Sequence, residues 1–312
     1  MDRFDHDVIV IGAGMTGLTA TKRLAQRGLG VANVEGGLFG GLITNVNELE
    51  GEYQGSGVDL ASTLMMELDE LGCAMLSETV TAVQVDCGVD VDRDAVVVTT
   101  DAKILRARAA IVASGARLKR LGVPGEAELE YKGVSQCADC DGPMFQGQAV
   151  VVVGGGDSAL QEARVLSQYC EHVHIVHRGT DFSARPHWAQ ALRECVNVSV
   201  IAQAEVTKID GVDGVQGVRV RGLDLQERII ACVGVFAYVG LAPTTDFMPS
   251  QAQHDAMGAL VTNELLETNM RNVFAAGAVR AGYLGTLTDA VREATLVSDA
   301  VLARIRDRAH SE

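Results

Sequence analysis

The sequence predicts an α/β fold with two Rossmann-like, three-layer nucleotide-binding domains, the second inserted into the first. A short β-branched strand, a glycine turn and a helix occur twice, at the start of the chain and near its middle. Links rich in Gly and Pro flank the middle copy. A third segment, NVFAAGAVRAGYLGTLTDAVREATLVSDAVLARI, reads as a strand, a glycine-rich turn and a long helix that completes the first domain.

The first copy opens the chain with DVIVIGAGMTGLTATKRLAQRG. The DVIVI run is typical of a buried parallel strand, and Gly12, Gly14 and Gly17 follow as G-x-G-x-x-G. In such a turn the first glycine permits the tight bend, the second lets a pyrophosphate approach, and the third lets helix and strand pack closely. A helix over residues 18–27 and a strand VANVE ending at Glu35 complete the pattern. Because an acid at this point can bind a ribose diol, a dinucleotide site is favoured over an incidental glycine-rich turn.

The second copy reads AVVVVGGGDSALQEARVLSQYCEHVHIVHRG. Gly154, Gly156 and Ala159 form G-x-G-x-x-A, and His177 lies at the same spacing from its turn as the acid does in the first copy. A carboxylate would repel a 2′-phosphate, whereas Arg178 can accept one. This site therefore favours NADPH over NADH.

Length and charge limit the function. The chain has 312 residues, which suggests about two domains at roughly 100–200 residues each. A formal net charge of -15 argues against a nucleic-acid partner, since phosphate neutralisation needs clustered Lys and Arg. No apolar run approaches the roughly 18 residues needed to cross a bilayer, and the N-terminus enters a strand pattern too soon for a signal peptide. We therefore expect a cytoplasmic protein with no membrane or nucleic-acid partner.

In order and spacing, the chain resembles the low-molecular-weight thioredoxin reductases over nearly its whole length. The segments that carry the resemblance are GAGMTG, GGLITNVNELEG, ASGARLKRLGVPGE, YKGVSQCADCDGPMFQGQAVVVVGGGDSA, VGLAPTTDF and NVFAAGAV. The most specific is C-x-x-C-D directly before the second glycine turn. Together with the two links, the resemblance implies a discontinuous FAD-binding domain (1–116 and 245–312) and a NAD(P)H-binding domain (117–244) that contains the cysteine pair.

The two thiols in SQCADCDGPM allow three interpretations. The seven cysteines stand at positions 73, 87, 137, 140, 170, 195 and 232, and only Cys137 and Cys140 form a close pair. A structural zinc site needs about four ligands, and no second C-x-x-C or histidine pair stands near in the sequence. An inert core pair is the third interpretation. Because C-x-x-C geometry lowers a thiol pKa and suits reversible disulfide formation, a redox pair is favoured. The other five cysteines are expected to be small core or surface residues.

The resemblance implies FAD in the first site and NADPH, or NADH, in the second. Cys137 and Cys140 would pass electrons to a thioredoxin-like protein or a small disulfide, with Cys140 nearer the flavin. Asp141 would donate or accept the proton, rather than only cap a helix. A homodimer is also implied. The residues expected to bind FAD are Gly12, Gly14, Met15, Thr16, Gly17, Glu35, Gly40, Gly41, Leu42, Asn45, Val80, Ser114, Gly115, Gly277, Ala278, Thr286 and Leu287. The residues expected to bind the nicotinamide cofactor are Gly154, Gly156, Asp157, Ser158, His177, Arg178 and Arg185.

The flavin segment departs from the family pattern. Ala278 stands where the family has an aspartate that binds the ribityl chain, so FAD is expected to lose about 1.5–3 kcal/mol of hydrogen bonding. Gly285, Thr286 and Leu287 replace the Arg-Gln-Ala that precedes the flavin-facing helix. Thr286 can still cap that helix.

The nicotinamide segment departs as well. In HRGTDFSAR, Gly179 and Ser183 stand where NADPH-specific members have arginines, and Arg185 is the expected substitute. Three functions therefore compete. The intact second glycine turn favours an NAD(P)H-dependent disulfide reductase. The altered arginine set favours a dithiol oxidase that uses oxygen, or a reductase with another electron donor. Ala278 favours a non-catalytic flavin- or nucleotide-binding relative, which the intact CADCD opposes. The reductase is the preferred prediction.

Overall fold

The computed structural model divides the chain into two compact units. The described residues are 4–46, 49, 53–86 and 94–309. Cys87 and part of the Gly40–Gly51 segment lie outside them. One unit contains Met1–Arg117 together with Ala242–Glu312, and the other contains Leu118–Leu241. In the described part of the chain, no helix combines the length and apolarity that crossing a membrane requires.

The N-terminal stretch of the first unit forms a mixed sheet, in which strands first alternate with helices and run parallel, and two antiparallel strands then extend one edge. Its elements are β1 (His6–Ile11), α1 (Met15–Ala25), β2 (Val31–Val34), a 3-10 helix (Gly41–Asn45), α2 (Gly57–Glu70), β3 (Ala74–Leu76), β4 (Val80–Asp86), β5 (Ala95–Thr100) and β6 (Ile104–Val112). β1 lies between β2 and β6 and runs parallel to both. Val8 and Val10 pack on the face covered by α1, and Ile9 packs on the opposite face. Since both faces are covered, the strand is apolar from Val8 to Ile11.

The second unit begins at Leu118, the last residue of β7 (Ala116–Leu118), and contains a smaller parallel sheet. Its elements are β8 (Val134–Ser135), α3 (Ala138–Asp141), a 3-10 helix (Gly142–Phe145), β9 (Ala149–Val153), α4 (Asp157–Leu166), β10 (His172–His177), α5 (Pro186–Arg193), β11 (Val198–Ala202), β12 (Ala204–Gly211), β13 (Val215–Gly222), β14 (Glu227–Ile230) and β15 (Gly234–Ala237). The parallel sheet has the order β11-β10-β9-β15-β8, and β12, β13 and β14 form an antiparallel sheet.

The chain then returns to the first unit. Its last elements are β16 (Leu241–Pro243), β17 (Val273–Ala275) and α6 (Leu287–Ala309). β16 pairs with β7, and β17 extends the first sheet beside β6. Ala294 and Val297 of α6 pack with Leu24 of α1 in one buried cluster. The predicted α/β fold with two Rossmann-like units, one interrupting the other, is confirmed.

Local boundaries differ slightly from the sequence prediction. The first helix begins at Met15 rather than at residue 18, because the glycine turn itself leads directly into the helix. The helix of the second copy ends at Leu166, whereas its sequence predicts a helix to about Tyr169, because Gln168 and Tyr169 close short turns instead. In the described part of the chain, the four cysteines outside the pair are free, and Cys170 and Cys232 are buried.

Candidate functional site

The first glycine turn follows β1 and is closed by backbone packing. Gly12 has a φ of +105°, and a Cβ there would lie 2.3 Å from the carbonyl oxygen of Ala113. A Cβ on Gly17 would lie 2.0 Å from the carbonyl oxygen of Gly12. Asn33, fully buried on β2, donates its side-chain amide to that same Gly12 oxygen at 3.1 Å. The turn itself therefore requires both glycines.

Gly14 keeps the mouth of this turn open. The nearest atom that a Cβ on Gly14 would meet is the carbonyl oxygen of Gly40, 3.9 Å away. Gly14 is the N-cap of α1, which has neither a side-chain cap nor an acidic residue in its first turn. The first amides of a helix, here those of Met15 and Thr16, have no partner within the helix and attract anions. Open space and uncapped amides together fit a pyrophosphate.

Glu35 directly follows β2 and faces the same turn. Its Oε2 accepts the N–H of Ala13 at 2.9 Å, and its Oε1 accepts the N–H of Gly37 at 2.8 Å. The carboxylate is therefore held beside the glycine turn, where the sequence predicts a ribose. Because each carboxylate oxygen accepts more than one hydrogen bond, a ribose diol can bind without displacing these two amides.

A further loop, which contains Gly40 and Gly41, adjoins the turn. The Gly40 N–H donates to the carbonyl oxygen of Ala13 at 2.7 Å. A Cβ on Gly41 would lie 3.2 Å from the Cα of Gly14. The structure thus places both predicted glycines of this loop beside the first glycine turn.

The other predicted flavin residues are more dispersed. Ser114 follows the Ala113 that packs on Gly12, and its hydroxyl donates to the carbonyl oxygen of Thr244 at 2.7 Å. Gly115 comes next with a φ of +67°. Leu42 and Asn45 lie on the 3-10 helix, the first exposed and the second half-buried; Val80 starts β4 and packs against the core.

Gly277, in the loop after β17, contacts the first turn of α1. Its φ is +80°, and a Cβ there would lie 2.5 Å from the hydroxyl oxygen of Thr16. Its N–H donates to Glu293 Oε2 at 2.8 Å. The two predicted flavin segments, which are far apart in the sequence, are therefore in contact.

An ion pair supports this loop. Glu293 is fully buried on α6, and its carboxylate accepts Nε of Arg280 at 3.1 Å and also Nη2. Arg280 Nη1 donates in addition to the carbonyl oxygen of Ala281 at 2.6 Å. One buried carboxylate thus holds both the Gly277 amide and the guanidinium.

The residues that depart from the family pattern lie on the same loop. Ala278 is half-buried and offers only a methyl group. Thr286 accepts the N–H of Asp289 through its hydroxyl at 3.1 Å, so the expected cap of α6 is present, and Leu287 is the first helical residue. Tyr283 donates its hydroxyl to the carbonyl oxygen of Thr286 at 2.8 Å. Burial, with the nearby acidic side chains, raises the pKa of Tyr283 to about 12.

The second glycine turn follows β9 and repeats the packing of the first. A Cβ on Gly154 would lie 2.3 Å from the carbonyl oxygen of Tyr238, whereas the nearest atom to a Cβ on Gly156 is Ser183 Oγ at 3.8 Å. Gly156 is the N-cap of α4 and has no side-chain cap. Ala159, fully buried, takes the place of the third glycine. This turn also leaves room for a pyrophosphate at the start of its helix.

The start of α4 differs from that of α1 in its charge. Asp157 is the first helical residue, and it accepts Nε of Arg185 at 2.5 Å and the Arg185 backbone N–H at 2.7 Å. The acid therefore stands in the helical turn that an anion would approach, neutralised by its partner. Arg185, the predicted substitute for a missing arginine, binds this acid, and Ser158 is exposed.

His177 occupies the position that Glu35 has in the first unit. Its ring is buried and lies against Phe182, with ring centroids 4.7 Å apart. Burial lowers the pKa of His177, although Asp181 partly offsets this. A neutral imidazole does not repel a phosphate, and Arg178, the next residue, is exposed.

Cys137 and Cys140 are joined by a disulfide with Cα atoms 5.3 Å apart. Cys137 caps the short helix α3, since its Sγ accepts the N–H of Cys140 at 3.2 Å, and its own N–H donates to Ser135 Oγ at 3.1 Å. Cys140 is exposed and Cys137 is half-buried. Asp141, half-buried, makes no side-chain cap to the 3-10 helix that follows it, so the alternative role as a helix cap is wrong. Among the described residues, no group of three or more His, Cys, Asp or Glu could hold a metal ion.

Two buried carboxylates beside the predicted site residues do not follow from the sequence motifs. Glu162 on α4 accepts the N–H of Ala138 at 3.0 Å, next to the cysteine pair. Glu293 on α6 is the second. Each stands on the apolar face of its helix, beside Ala163 and Ala294 respectively, and an acid within such a stripe is the sequence signal that could have revealed them.

Comparisons with known proteins agree with this arrangement. A family model described as pyridine nucleotide-disulphide oxidoreductase matches residues 6–294, a span that includes both glycine turns and the cysteine pair. The thioredoxin reductase of Listeria monocytogenes is 36% identical over 298 residues, which covers 93% of this chain and 91% of that protein. The crystal structure of Lactococcus lactis thioredoxin reductase matches with a TM-score of 0.92 at 29% identity, covering 97% of this chain and 100% of that chain. The structure of T. acidophilum thioredoxin reductase matches with a TM-score of 0.88 at 28% identity, covering 96% and 98%.

Proposed function

The chain belongs to the pyridine nucleotide-disulphide oxidoreductase family and, within it, to the low-molecular-weight thioredoxin reductases, and we propose that it reduces a thioredoxin-like disulfide. It is an FAD-dependent disulfide oxidoreductase that uses a nicotinamide cofactor, as the sequence predicts. The resemblance stated from the sequence is therefore confirmed, and a non-catalytic relative is disfavoured. The identity of the disulfide partner is the proposed part.

The first unit supplies the residues that would hold FAD. Gly14 leaves open space beside the uncapped amides of Met15 and Thr16, and Glu35 is held where a ribose diol would bind. When bound, FAD accepts two electrons from the nicotinamide cofactor and delivers them to a disulfide. The second unit would hold the nicotinamide cofactor at Gly156 and the start of α4, with Arg178 as the exposed cation for a 2′-phosphate.

The cysteine pair carries out the thiol chemistry. Two electrons and two protons convert the Cys137–Cys140 disulfide into two thiols. One thiolate attacks the external disulfide, forms a mixed disulfide with one of its sulfurs and releases the other as a first substrate thiol. The second cysteine then attacks the mixed disulfide, which restores the internal disulfide and releases the second substrate thiol. We assign the attack to Cys137, because the N–H of Cys140 at 3.2 Å stabilises negative charge on its sulfur. Asp141, adjacent to Cys140 and free of a capping role, takes or returns the proton.

The disulfide between Cys137 and Cys140, in the unit that contains the second glycine turn, is the observation that carries this proposal. The decisive experiment is an anaerobic titration of the purified protein with NADPH, and separately with NADH, while the visible flavin absorbance is followed. NADPH should bleach the flavin and then expose two alkylatable thiols at Cys137 and Cys140. In the matched variant Cys137→Ser/Cys140→Ser, the flavin should still bleach but no thiols should appear at these positions.

A second candidate function is a dithiol oxidase that passes electrons from its substrate to oxygen. The ion pair between Arg185 and Asp157 favours it, because Arg185 is a cation that was expected to bind NADPH and is bound to a carboxylate instead. Bleaching by a dithiol such as dithiothreitol but by neither nicotinamide would support the oxidase and refute the reductase.

We further propose a homodimer and a cytoplasmic location, both on family membership. Light scattering of the purified protein tests the homodimer, and a mass equal to one chain would refute it.

Reduction of thioredoxin, followed by coupled reduction of insulin, tests the proposed disulfide partner. The original protein should reduce thioredoxin faster than the variant Cys137→Ser does, and equal rates in the two proteins would remove thioredoxin as the substrate.

A further inference from the structure

A buried carboxylate lies against the turn between the two cysteines. Glu162, on α4, is 8% exposed. Its Oε2 accepts the N–H of Ala138 at 3.0 Å, and Ala138, fully buried, directly follows Cys137. This residue therefore holds the backbone that sets the positions of both sulfurs.

A second donor reaches the same oxygen. The hydroxyl of Tyr238 donates to Glu162 Oε2 at 3.2 Å, and Tyr238 is itself buried directly after β15. The carbonyl oxygen of Tyr238 packs on Gly154 of the second glycine turn. One carboxylate oxygen thus connects the cysteine turn, α4 and the end of β15.

Both hydrogen-bond partners of Glu162 are neutral. Burial raises the pKa of Glu162 to about 7, with a further increase from Asp139, while the two hydrogen bonds act in the opposite direction. The titratable groups that face Glu162 are Asp139 on α3 and Tyr238 after β15. Burial also raises the pKa of each of these two. Glu162 is therefore the group in this cluster that exchanges a proton near neutral pH.

We propose that Glu162 is a positioning residue for the redox pair, which fixes the turn between the cysteines and takes up a proton when their disulfide is reduced. The proposal rests on the proposed function, since it requires Cys137 and Cys140 to be redox-active. Two electrons and two protons convert the disulfide and the Glu162 carboxylate into a thiol, a thiolate and a carboxylic acid. The second proton goes to Glu162 because a new thiolate repels the buried carboxylate, and protonation of the carboxylate removes that repulsion.

The proposal fixes how reduction depends on pH. Below the pKa of Glu162 the carboxyl is neutral in both redox states and has no electrostatic effect. Above that pKa, reduction must either bring a proton to the carboxylate or place two negative charges together. The disulfide should therefore become harder to reduce as pH rises, beyond the dependence that the thiols alone produce.

Glu162→Gln isolates this effect. The glutamine oxygen can still accept from Ala138 and Tyr238, whereas the charge and the titration are lost. At about pH 5.5 the variant and the original protein should have the same equilibrium constant for reduction, and at about pH 8.5 the variant should be reduced about tenfold more favourably, equivalent to one pKa unit of coupling.

The measurement uses the full-length protein in anaerobic dithiothreitol redox buffers. After acid quenching and alkylation, mass spectrometry gives the reduced fraction of the Cys137–Cys140 peptide at each pH. Because both proteins share the same reference dithiol, its own titration cancels in the ratio. A ratio that stays constant across the pH range would overturn the proposal, because a purely structural role predicts a constant offset.

Tyr238→Phe provides a second, independent variant. It keeps the carboxylate and removes one donor that favours the charged form, so the pH at which reduction becomes harder should shift upward. An unchanged pH profile in this variant would also contradict the proposal, even if Glu162→Gln failed to fold. The assay needs neither NADPH nor thioredoxin. If dithiothreitol reduces the disulfide but NADPH does not bleach the flavin, the reductase is refuted and this inference stays intact. If the ratio of the two equilibrium constants stays constant with pH, this inference is refuted and the reductase stays intact.

Discussion

The two glycine turns share a backbone design and differ in their side chains. In each, a Cβ on the first glycine would lie 2.3 Å from a carbonyl oxygen, and a helix begins at a glycine N-cap. The first helix has no acid in its first turn and faces Glu35, whereas the second begins with Asp157 bound to Arg185 and faces a neutral His177. We infer that backbone packing sets where a dinucleotide binds, and that a few side chains set which dinucleotide it is.

The buried glutamates of the two units differ in the same way. Glu293 in the first unit is compensated by the guanidinium of Arg280. Glu162 in the second unit is held by an amide and a phenol, both neutral. A compensated charge favours a fixed loop, while an uncompensated carboxyl can gain and lose a proton. We infer that the flavin side is built for rigidity and the dithiol side for proton exchange.

The largest expected effect comes from breaking the compensated pair. Arg280→Met keeps the apolar stem but leaves the buried Glu293 carboxylate with only the more distant guanidinium of Arg292, 3.8 Å away, which should cost about 3 kcal/mol. The free energy of unfolding of the first unit should fall by this amount and FAD should be lost, because Gly277 is held by the same carboxylate. Far-UV circular dichroism during chemical denaturation measures it.

The control for this variant uses the single tryptophan. Trp188 lies in the second unit, so its fluorescence follows the unfolding of that unit alone. Arg280→Met should leave the Trp188 transition in place, and Arg280→Lys should recover part of the lost stability. A displaced Trp188 transition would contradict the idea that this ion pair serves the first unit only.

The next largest effect concerns Glu35 and His177, which hold equivalent positions after the second strand of each glycine motif, where a ribose is expected. Glu35→Gln removes the charge and one acceptor, so FAD affinity should fall by about 1.5–3 kcal/mol, which is roughly tenfold to a hundredfold. Titration of the apoprotein with FAD, followed by quenching of flavin fluorescence, gives the Kd. His177→Gln is the matched change in the second unit and should leave the FAD Kd unchanged. Equal losses in both variants would remove the distinction between the two sites.

The sequence predicted the periodic parts of the molecule well. Strands such as β1 and the glycine turns were readable because their residue types follow directly from close backbone approach, as at Gly12. The cysteine pair was readable from its spacing. Contacts such as Arg280 with Glu293, or Glu162 with Ala138, were not, because they join residues whose proximity depends on the packing of separate elements. The contact of Arg185 with Asp157 could not be predicted for the same reason, and Arg185 was expected to bind a phosphate instead.

A smaller effect separates the third position of each turn. Gly17→Ala would place a Cβ 2.0 Å from the Gly12 carbonyl oxygen, and the overlap should cost about 1–3 kcal/mol of stability and weaken FAD binding. The second turn already has Ala159 there, and Ala159→Gly should cost only about 1 kcal/mol, through helix propensity. Chemical denaturation of both variants tests the contrast. If Gly17→Ala lowered the free energy of unfolding no more than Ala159→Gly does, the third positions of the two turns would not differ in packing.

The smallest expected effect tests which nicotinamide the second turn binds. Arg178 is exposed, so its contact with a 2′-phosphate is screened by solvent and should contribute about 1 kcal/mol, or about fivefold in KM. Arg178→Ala should raise KM for NADPH by that factor and leave KM for NADH unchanged, and the difference should shrink at high salt. Arg185→Ala is the useful comparison, because it frees Asp157 at the start of α4, where an unpaired carboxylate repels the pyrophosphate of either cofactor. Arg185→Ala should therefore weaken NADPH and NADH alike. If instead it weakened NADPH alone, Arg185 would leave Asp157 to bind the 2′-phosphate, and the preference for NADPH would depend on both arginines.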